Sequence, residues 1–306
     1  MILSVSRRTD IPAFYGKWFI NRLNEGFVCV RNPFNFHAVN KISINKAVVD
    51  CMVFWTKDAT NFINYLPQID DMGYKYYFQY TVTPYDKTIE SNLRDKNLII
   101  ENFKQLSNQI GKEKVIWRYD PILLTEKIDI NWHVRKFEEM CKELATYTDV
   151  VIISFLDEYK KLGKSKIRSL KFEEMTSIAK ELKKIATRYN LKLKTCAESL
   201  SESLELEKAS CIDKQLIEKI CGCSLTIKKD KNQRSECLCA ESIDIGEYDT
   251  CNHQCLYCYA NNNCKNIQKK LQNHNLNSPL LIGEITNDDK ITERKTSSLK
   301  NLQISI

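Results

Sequence analysis

The sequence holds only 8 glycines in 306 residues, and none of them falls in a GxGxxG or GxxxxGK[ST] pattern. Those patterns let backbone amides approach a phosphate, so neither a dinucleotide-binding fingerprint nor a P-loop is written here. Long apolar runs are also missing: stretches such as Val150–Phe155 fall far short of the roughly 20 residues that cross a bilayer. The segment Met1-Ile2-Leu3-Ser4-Val5-Ser6-Arg7-Arg8 lacks the apolar stretch of a signal peptide. The expectation is a cytoplasmic protein with no membrane partner. Histidines are limited to His37, His133, His253 and His274, and no Ser/His/Asp or Cys/His nucleophile arrangement is visible.

Cysteine, by contrast, is abundant. In a reducing compartment 13 thiols do not read as a disulfide framework, and an odd count strands one in any case. Thiols at that density usually signify metal. Cys29, Cys51, Cys141 and Cys196 are scattered and read as core thiols. Cys211, Cys221, Cys223, Cys237, Cys239, Cys251, Cys255, Cys258 and Cys264 crowd together and read as a site.

With 43% hydrophobic and 10% aromatic residues the chain is globular, and its length suits one large domain or two ordinary ones. Short β-branched or aromatic runs alternate with amphipathic stretches. The runs are Ile2 to Ser6, Phe27 to Arg31, Val48 to Trp55, Lys75 to Thr83, Val115 to Arg118, Val150 to Phe155, Leu191 to Cys196 and Ser242 to Tyr248. Helical spacing is clearest at Phe172, Met175, Ile178, Ala179, Leu182, Ile185 and Ala186, and recurs over about Ile89 to Ile110 and Trp132 to Leu144. Eight such alternations predict an α/β fold, a (β/α)8 barrel of TIM type, closed or nearly so. Residues 1–260 form that barrel, with a cysteine loop at 249–261, and residues 261–306 form a C-terminal tail that packs on it.

In a barrel of this kind chemistry gathers where strands end. The segments there include Ser6-Arg7-Arg8-Thr9-Asp10, Trp55-Thr56-Lys57, Arg118-Tyr119-Asp120-Pro121, Ser154-Phe155-Leu156-Asp157, Cys196-Ala197-Glu198 and Arg31-Asn32-Pro33. Some of these polar residues suit turns and helix caps equally well, Asp157, Thr56 and Glu198 among them. Arginines recurring beside carboxylates fit that bland reading less well.

Cys251-Asn252-His253-Gln254-Cys255-Leu256-Tyr257-Cys258 is a CxxxCxxC with an aromatic before its last cysteine. Three thiolates can hold three irons of a cubane cluster and leave the fourth iron without a protein ligand. That segment resembles the cluster loop of the radical S-adenosylmethionine superfamily, and Ser242 to Thr250 is similar to the strand that delivers it. The superfamily motif normally lies near the N-terminus, whereas here it begins at position 251. The whole chain resembles a bacterial family of formerly unknown function that carries the cluster motif near its C-terminus, through Ser4 to Pro12, Val53 to Lys57, Trp117 to Pro121 and Lys229 to Arg234. In a closed barrel such a shift is a circular permutation, with the cluster-bearing strand last and beside Ile2 to Ser6.

The resemblance implies a [4Fe-4S] cluster on Cys251, Cys255 and Cys258, and S-adenosyl-L-methionine held by Ser6, Arg7, Arg8, Asp10 and Tyr257. An arginine would pair the methionine carboxylate, and Asp10 the ribose or amino group. Zinc is the alternative for the triplet, with Cys264 as fourth thiolate, although only one CxxC unit, Cys255 to Cys258, is present. Cys221, Cys223, Cys237 and Cys239, with Cys196 or Cys211, are candidates for an auxiliary iron-sulfur cluster or for plain buried thiols.

The net charge of +7 is mild, and no dense basic patch stands out, so a nucleic-acid partner is less favoured than a small nucleobase-like molecule. Trp55, Gln79, Tyr80, Tyr85, Arg118, Asp120 and Glu198 are the expected substrate contacts, with Arg118, Asp120 and Glu198 as catalytic candidates. Chains of similar organisation are associated with queuine lyase, which cleaves a C–N bond of queuine to release 7-aminomethyl-7-deazaguanine. Flavodoxin or ferredoxin would donate the electron. A radical enzyme that repairs or modifies nucleic acid, and a non-catalytic iron-sulfur redox module, stay open as alternatives.

Overall fold

The computed structural model of the chain describes residues 1–156, 167–196, 200 and 204–301. Eight parallel strands form one sheet in the order β10-β1-β4-β5-β6-β7-β8-β9. They are β1 (Ile2–Val5), β4 (Cys51–Thr56), β5 (Tyr76–Thr81), β6 (Val115–Ile122), β7 (Val150–Phe155), β8 (Lys192–Cys196), β9 (Glu207–Ala209) and β10 (Ile243–Asp244). A second sheet holds β2 (Phe27–Arg31), β3 (Ala38–Ser43) and β11 (Lys290–Arg294), in the order β11-β3-β2. The order of the large sheet places β10 directly beside β1, with Leu3 opposite Ile243 and Ser4 opposite Asp244.

Strand β4 reads Cys-Met-Val-Phe-Trp-Thr and is almost continuously apolar because both of its faces are covered. One face packs under helices α1 (Ile11–Phe14), α2 (Gly16–Glu25), α3 (Leu66–Asp71), α4 (Lys96–Ile110), α5 (Ile130–Leu144) and α6 (Phe172–Arg188). Leu3, Val5, Met52, Phe54, Phe78, Trp117 and Ile153 point into that layer and meet Phe19, Phe62, Phe103, Phe137 and Ile178. Alternate residues Ile2, Val53, Tyr77, Ile116 and Ile152 point to the other face. There they meet Ile212, Ile217, Leu225 and Ala240, from the excursion between β9 and β10 that carries helix α7 (Lys214–Cys221).

The structure corrects two strand assignments. Phe27 to Arg31 belongs to the small sheet, antiparallel to β3, so the Arg31-Asn32-Pro33 segment is not at the site; Arg31 instead pairs with Asp289. The eighth strand of the large sheet is Glu207–Ala209, parallel to β8. Among the described residues β10 pairs with β1 and β9 with β8, so the sheet is an eight-stranded parallel one flanked by helices, and no strand pairing that would close it into a barrel is shown.

The C-terminal segment threads back across the molecule and includes helix α8 (Cys264–Gln272). Trp18 Nε1 donates to Ser278 O at 2.9 Å, Cys29 N to Pro279 O at 2.8 Å and Leu299 N to Asp50 Oδ2 at 2.8 Å. Among the described residues no helix is long and apolar enough to cross a membrane.

Candidate functional site

The C-terminal ends of the parallel strands open into one cavity of about 340 Å³. Its wall takes Ser6 to Asp10 after β1, Trp55 to Lys57 at the end of β4, Thr81 of β5, Arg118 and Asp120 of β6, Ser154 of β7 and Cys196 of β8. Cys251, His253, Cys255, Tyr257 and Cys258 enter the same cavity from the loop after β10. One end of the sheet thus gathers residues from seven strands, as parallel topology directs.

The cysteine loop is clasped by residues 89–92. Leu256 N donates to Ile89 O at 3.0 Å, Asn92 N to His253 O at 3.2 Å and Asn92 Nδ2 to Asn252 O at 2.9 Å. The His253 amide is hydrogen-bonded to the Cys251 sulfur, and Tyr257 is bonded to that of Cys255. Burial pushes the Cys255 thiol up to about 12, against the pull of the Lys57 ammonium. Burial likewise raises Cys251 well above the ordinary thiol range, and an ionised Cys255 or Cys258 nearby adds to it.

Beneath the loop lies a buried charge network. Glu90, 1% exposed, accepts from Lys57 Nζ at 2.7 Å, Thr83 Oγ1 at 2.8 Å, Lys96 Nζ and Tyr257 Oη. Burial favours the protonated carboxyl, but the two ammonium groups outweigh it and hold Glu90 down at about 2. Lys57 also stands over the Tyr257 ring, 5.4 Å from its centroid. This network was not legible in the sequence, because its members come from separate segments with no local pattern.

On the β1 side, Asp244 is the organiser. It accepts from Ser4 Oγ at 2.6 Å, Ser6 Oγ at 2.5 Å, Arg7 N at 2.8 Å and Gly246 N at 2.9 Å. Gly246 has to be glycine: a Cβ there would lie 2.0 Å from Ser6 Oγ. Arg7 stacks on Trp55 at 5.3 Å, and Arg8 stands over Tyr248 at 5.2 Å. Among the described residues, the buried Arg7 Nη2, Thr9 Oγ1 and His253 Nδ1 have no hydrogen-bond partner. Buried polar atoms are usually completed by a hydrogen-bond partner, whether protein, water or ligand.

Asp10 lines the cavity, but its oxygens are already engaged by Ala13 N at 3.0 Å, Lys57 N at 2.7 Å and His253 Nε2 at 2.9 Å. Its role in this arrangement is to cap α1 and to orient His253. Nε2 faces the carboxylate, and Nδ1 is left for a partner from the cavity.

Arg118, 6% exposed, donates to Asp120 Oδ2 through Nη2 at 2.5 Å and to Cys211 Sγ through Nη1 at 3.0 Å. Ser154 Oγ donates to the other Asp120 oxygen. Of the expected substrate contacts, Trp55, Arg118 and Asp120 reach the cavity, whereas Gln79, Tyr80 and Tyr85 do not. Gln79 Nε2 is spent on Cys211 O at 2.9 Å; Tyr80 points to the helical layer and bonds Asn102; Tyr85 bonds Pro121 O at 2.7 Å. Glu198 and Asp157 lie outside the described residues.

The remaining cysteines divide differently from the expected pairs. Cys196, Cys211, Cys237 and Cys239 all line the cavity. Cys221 instead lies against Cys51 and donates to Asp50 O at 3.4 Å, and Cys223 is not among the lining residues.

The sequence profile of a family described as Domain of unknown function (DUF1848) matches residues 2–260. The chain belongs to that family. The match spans the strands of the large sheet and the whole CxxxCxxC loop. No curated protein matches the chain. Among solved structures, one of a candidate alpha-L-fucosidase from Bacteroides thetaiotaomicron is similar at 12% identity, over 73% of this chain and 83% of that one. Its TM-score of 0.27 is too low to carry an argument about either fold or function.

The donor set of this DUF1848 chain suits a cubane cluster. Three sulfurs come from one loop, an ammonium group stands beside one of them and an amide bonds another. Among the described residues no three His, Cys, Asp or Glu side chains are drawn round one point as ligands of a single ion would be. Cubane thiolates bind separate irons and stand farther apart than that. The Cys264 side chain, the fourth thiolate of the zinc alternative, lies outside the described residues.

Proposed function

We propose that the chain is a radical S-adenosylmethionine lyase, with a [4Fe-4S] cluster on Cys251, Cys255 and Cys258 and S-adenosylmethionine in the adjoining cavity. The observation that supports this reading most directly is that all three CxxxCxxC cysteines line the cavity into which the strand ends open. When bound, cluster and S-adenosylmethionine together supply one-electron cleavage of the sulfonium and a 5′-deoxyadenosyl radical.

The chain's own residues bind and orient. Arg7, stiffened by Trp55 and Asp244, offers its unpartnered Nη2 to a carboxylate. Thr9 Oγ1 and His253 Nδ1 supply further hydrogen bonds. Tyr257, fixed by Glu90 and Lys57, closes the cavity beside Cys255. Arg118 and Asp120, locked to each other and to Ser154, present polar edges to a flat substrate, and Trp55 presents a ring face. The best reading of that substrate is queuine, released as 7-aminomethyl-7-deazaguanine. A flavodoxin or ferredoxin delivers the electron, and Leu256 and Tyr259, exposed on the cluster loop, give it an apolar foothold.

The test is anaerobic incubation of the iron-reconstituted protein with S-adenosylmethionine, dithionite and a panel of deazaguanine bases, read by mass spectrometry. The expected result is 5′-deoxyadenosine, with 7-aminomethyl-7-deazaguanine appearing only from queuine. Formation of 5′-deoxyadenosine with no base consumed, together with steeply salt-dependent binding to DNA or RNA, would move the substrate to nucleic acid. No 5′-deoxyadenosine from fully loaded protein would leave a redox module.

A further inference from the structure

Four cysteines outside the CxxxCxxC loop converge on the cavity wall from three separate stretches. Cys196 ends β8, Cys211 follows β9, and Cys237 and Cys239 precede β10. Cys196 Sγ and Cys211 Sγ are 3.4 Å apart. Cys211 is hydrogen-bonded in turn to Cys239, and Cys239 to Cys237. The four sulfurs therefore run as one contiguous chain.

Their surroundings differ from those of an ordinary buried thiol. Arg118 donates to Cys211 Sγ at 3.0 Å, and the Arg7 guanidinium lies beside both Cys239 and Cys211. The Ile212 amide bonds the Cys239 sulfur, and the Cys239 amide bonds that of Cys237. Cys141, by comparison, is simply enclosed by the apolar side chains of the helical layer. Guanidinium and amide donors turned toward sulfur are what anionic, metal-bound thiolates require.

We propose that Cys196, Cys211, Cys237 and Cys239 bind a single thiophilic metal ion of the zinc type, distinct from the cluster on the CxxxCxxC loop. A tetrahedral ion with zinc–sulfur bonds of about 2.3 Å sets its sulfurs roughly 3.8 Å apart. The 3.4 Å approach of Cys196 and Cys211 is close to such an edge. In the structure the sulfurs form a chain and not yet a closed tetrahedron. Closing it requires the Cys237 and Cys239 side chains, both on the segment that enters β10, to turn toward the Cys196–Cys211 pair. Each thiol gives up a proton to solvent on binding, and no electron moves. Four thiolates on a dication leave two negative charges, which Arg7 and Arg118 offset.

The ion would staple β8 and β9, at one edge of the sheet, to the segment that leads into β10 at the other. It would thereby hold the β9–β10 excursion over the cavity and fix Arg7. The inference does not rest on the radical chemistry.

The test is metal content by inductively coupled plasma mass spectrometry on protein purified anaerobically from zinc-supplemented medium, without reconstitution. A variant with Cys251→Ala, Cys255→Ala and Cys258→Ala, which removes the proposed cluster ligands, is expected to keep a single zinc per chain. Cys237→Ser with Cys239→Ser is expected to lose it while still taking up iron on reconstitution. On unmutated protein, iodoacetamide mapping should show all four cysteines protected until a chelator is added. Zinc missing from the triple alanine variant, iron and sulfide in its place, or alkylation of the four thiols without chelator would each overturn the proposal.

Discussion

At the scale of single residues the site depends on charges buried in the right company. Glu90 is the clearest case, since it compensates two ammonium groups at once. Glu90→Gln leaves Lys57 and Lys96 facing each other in a dry site, and removing one partner of a buried pair typically costs roughly 3–5 kcal/mol. The expected outcome is a drop of about that size in urea unfolding free energy; an unchanged midpoint would remove Glu90 from the structural core of the site. Arg7→Ala has a different signature. It is expected to raise the Kd for S-adenosylmethionine about tenfold, the loss of one charge-assisted bond, as read by calorimetry. Unaltered affinity would free Arg7 from that role. Cys251, Cys255 and Cys258 were legible because their spacing is local. Glu90 and Asp244 were not, because long-range topology alone places them; of the further cysteines, Cys196, Cys211, Cys237 and Cys239 meet at the cavity as candidates, whereas Cys221 and Cys223 lie apart from it.

At the scale of elements, β10 is only Ile243–Asp244, yet it delivers the cysteine loop. Its attachment to β1 rests on Asp244 and on the bare backbone of Gly246. Gly246→Ala drives a Cβ into Ser6 Oγ, so the two segments have to separate. The variant is expected to unfold with a midpoint several degrees lower, or to expose the loop to limited proteolysis; a wild-type melting curve and cleavage pattern would contradict this contact. Helix α5 is tied to β6 by His133, which accepts from Tyr119 Oη at 2.8 Å through Nδ1 and donates to Leu123 O at 2.8 Å through Nε2.

Burial lowers His133 from 6.5 to about 4. Between those values the unfolded chain binds a proton that the folded chain does not, so stability falls as the pH drops through that window. The expected loss between pH 7 and pH 5 is about 2 kcal/mol, and it should shrink in His133→Gln. Equal losses in both proteins would assign the effect to other groups. The long helices and most strands were legible from periodicity. Phe27–Arg31 was placed in the wrong sheet because its alternation is the same whichever partner it finds. Glu207–Ala209 was missed because two of its three residues are charged and exposed, and only pairing with β8 makes it a strand.

At the scale of the whole molecule, the parallel sheet has helices on one face and the β9–β10 excursion on the other. An alternating strand-helix pattern argues for parallel strands under helices, which the structure shows, but carries no information on whether the two edges of the sheet meet. The adjacency of the first and last strands of the sheet is what brings Arg7 and the cysteine loop to a common cavity. Under the proposed function, this loop holds a cubane cluster with one iron open to S-adenosylmethionine. The most direct test is the electron paramagnetic resonance spectrum of the reconstituted, dithionite-reduced protein with and without that molecule. A reduced-cluster signal whose g values shift on adding S-adenosylmethionine, and which is lost in Cys255→Ala, is the predicted result. A cluster signal that is indifferent to S-adenosylmethionine, or one that survives in Cys255→Ala, would contradict the claim.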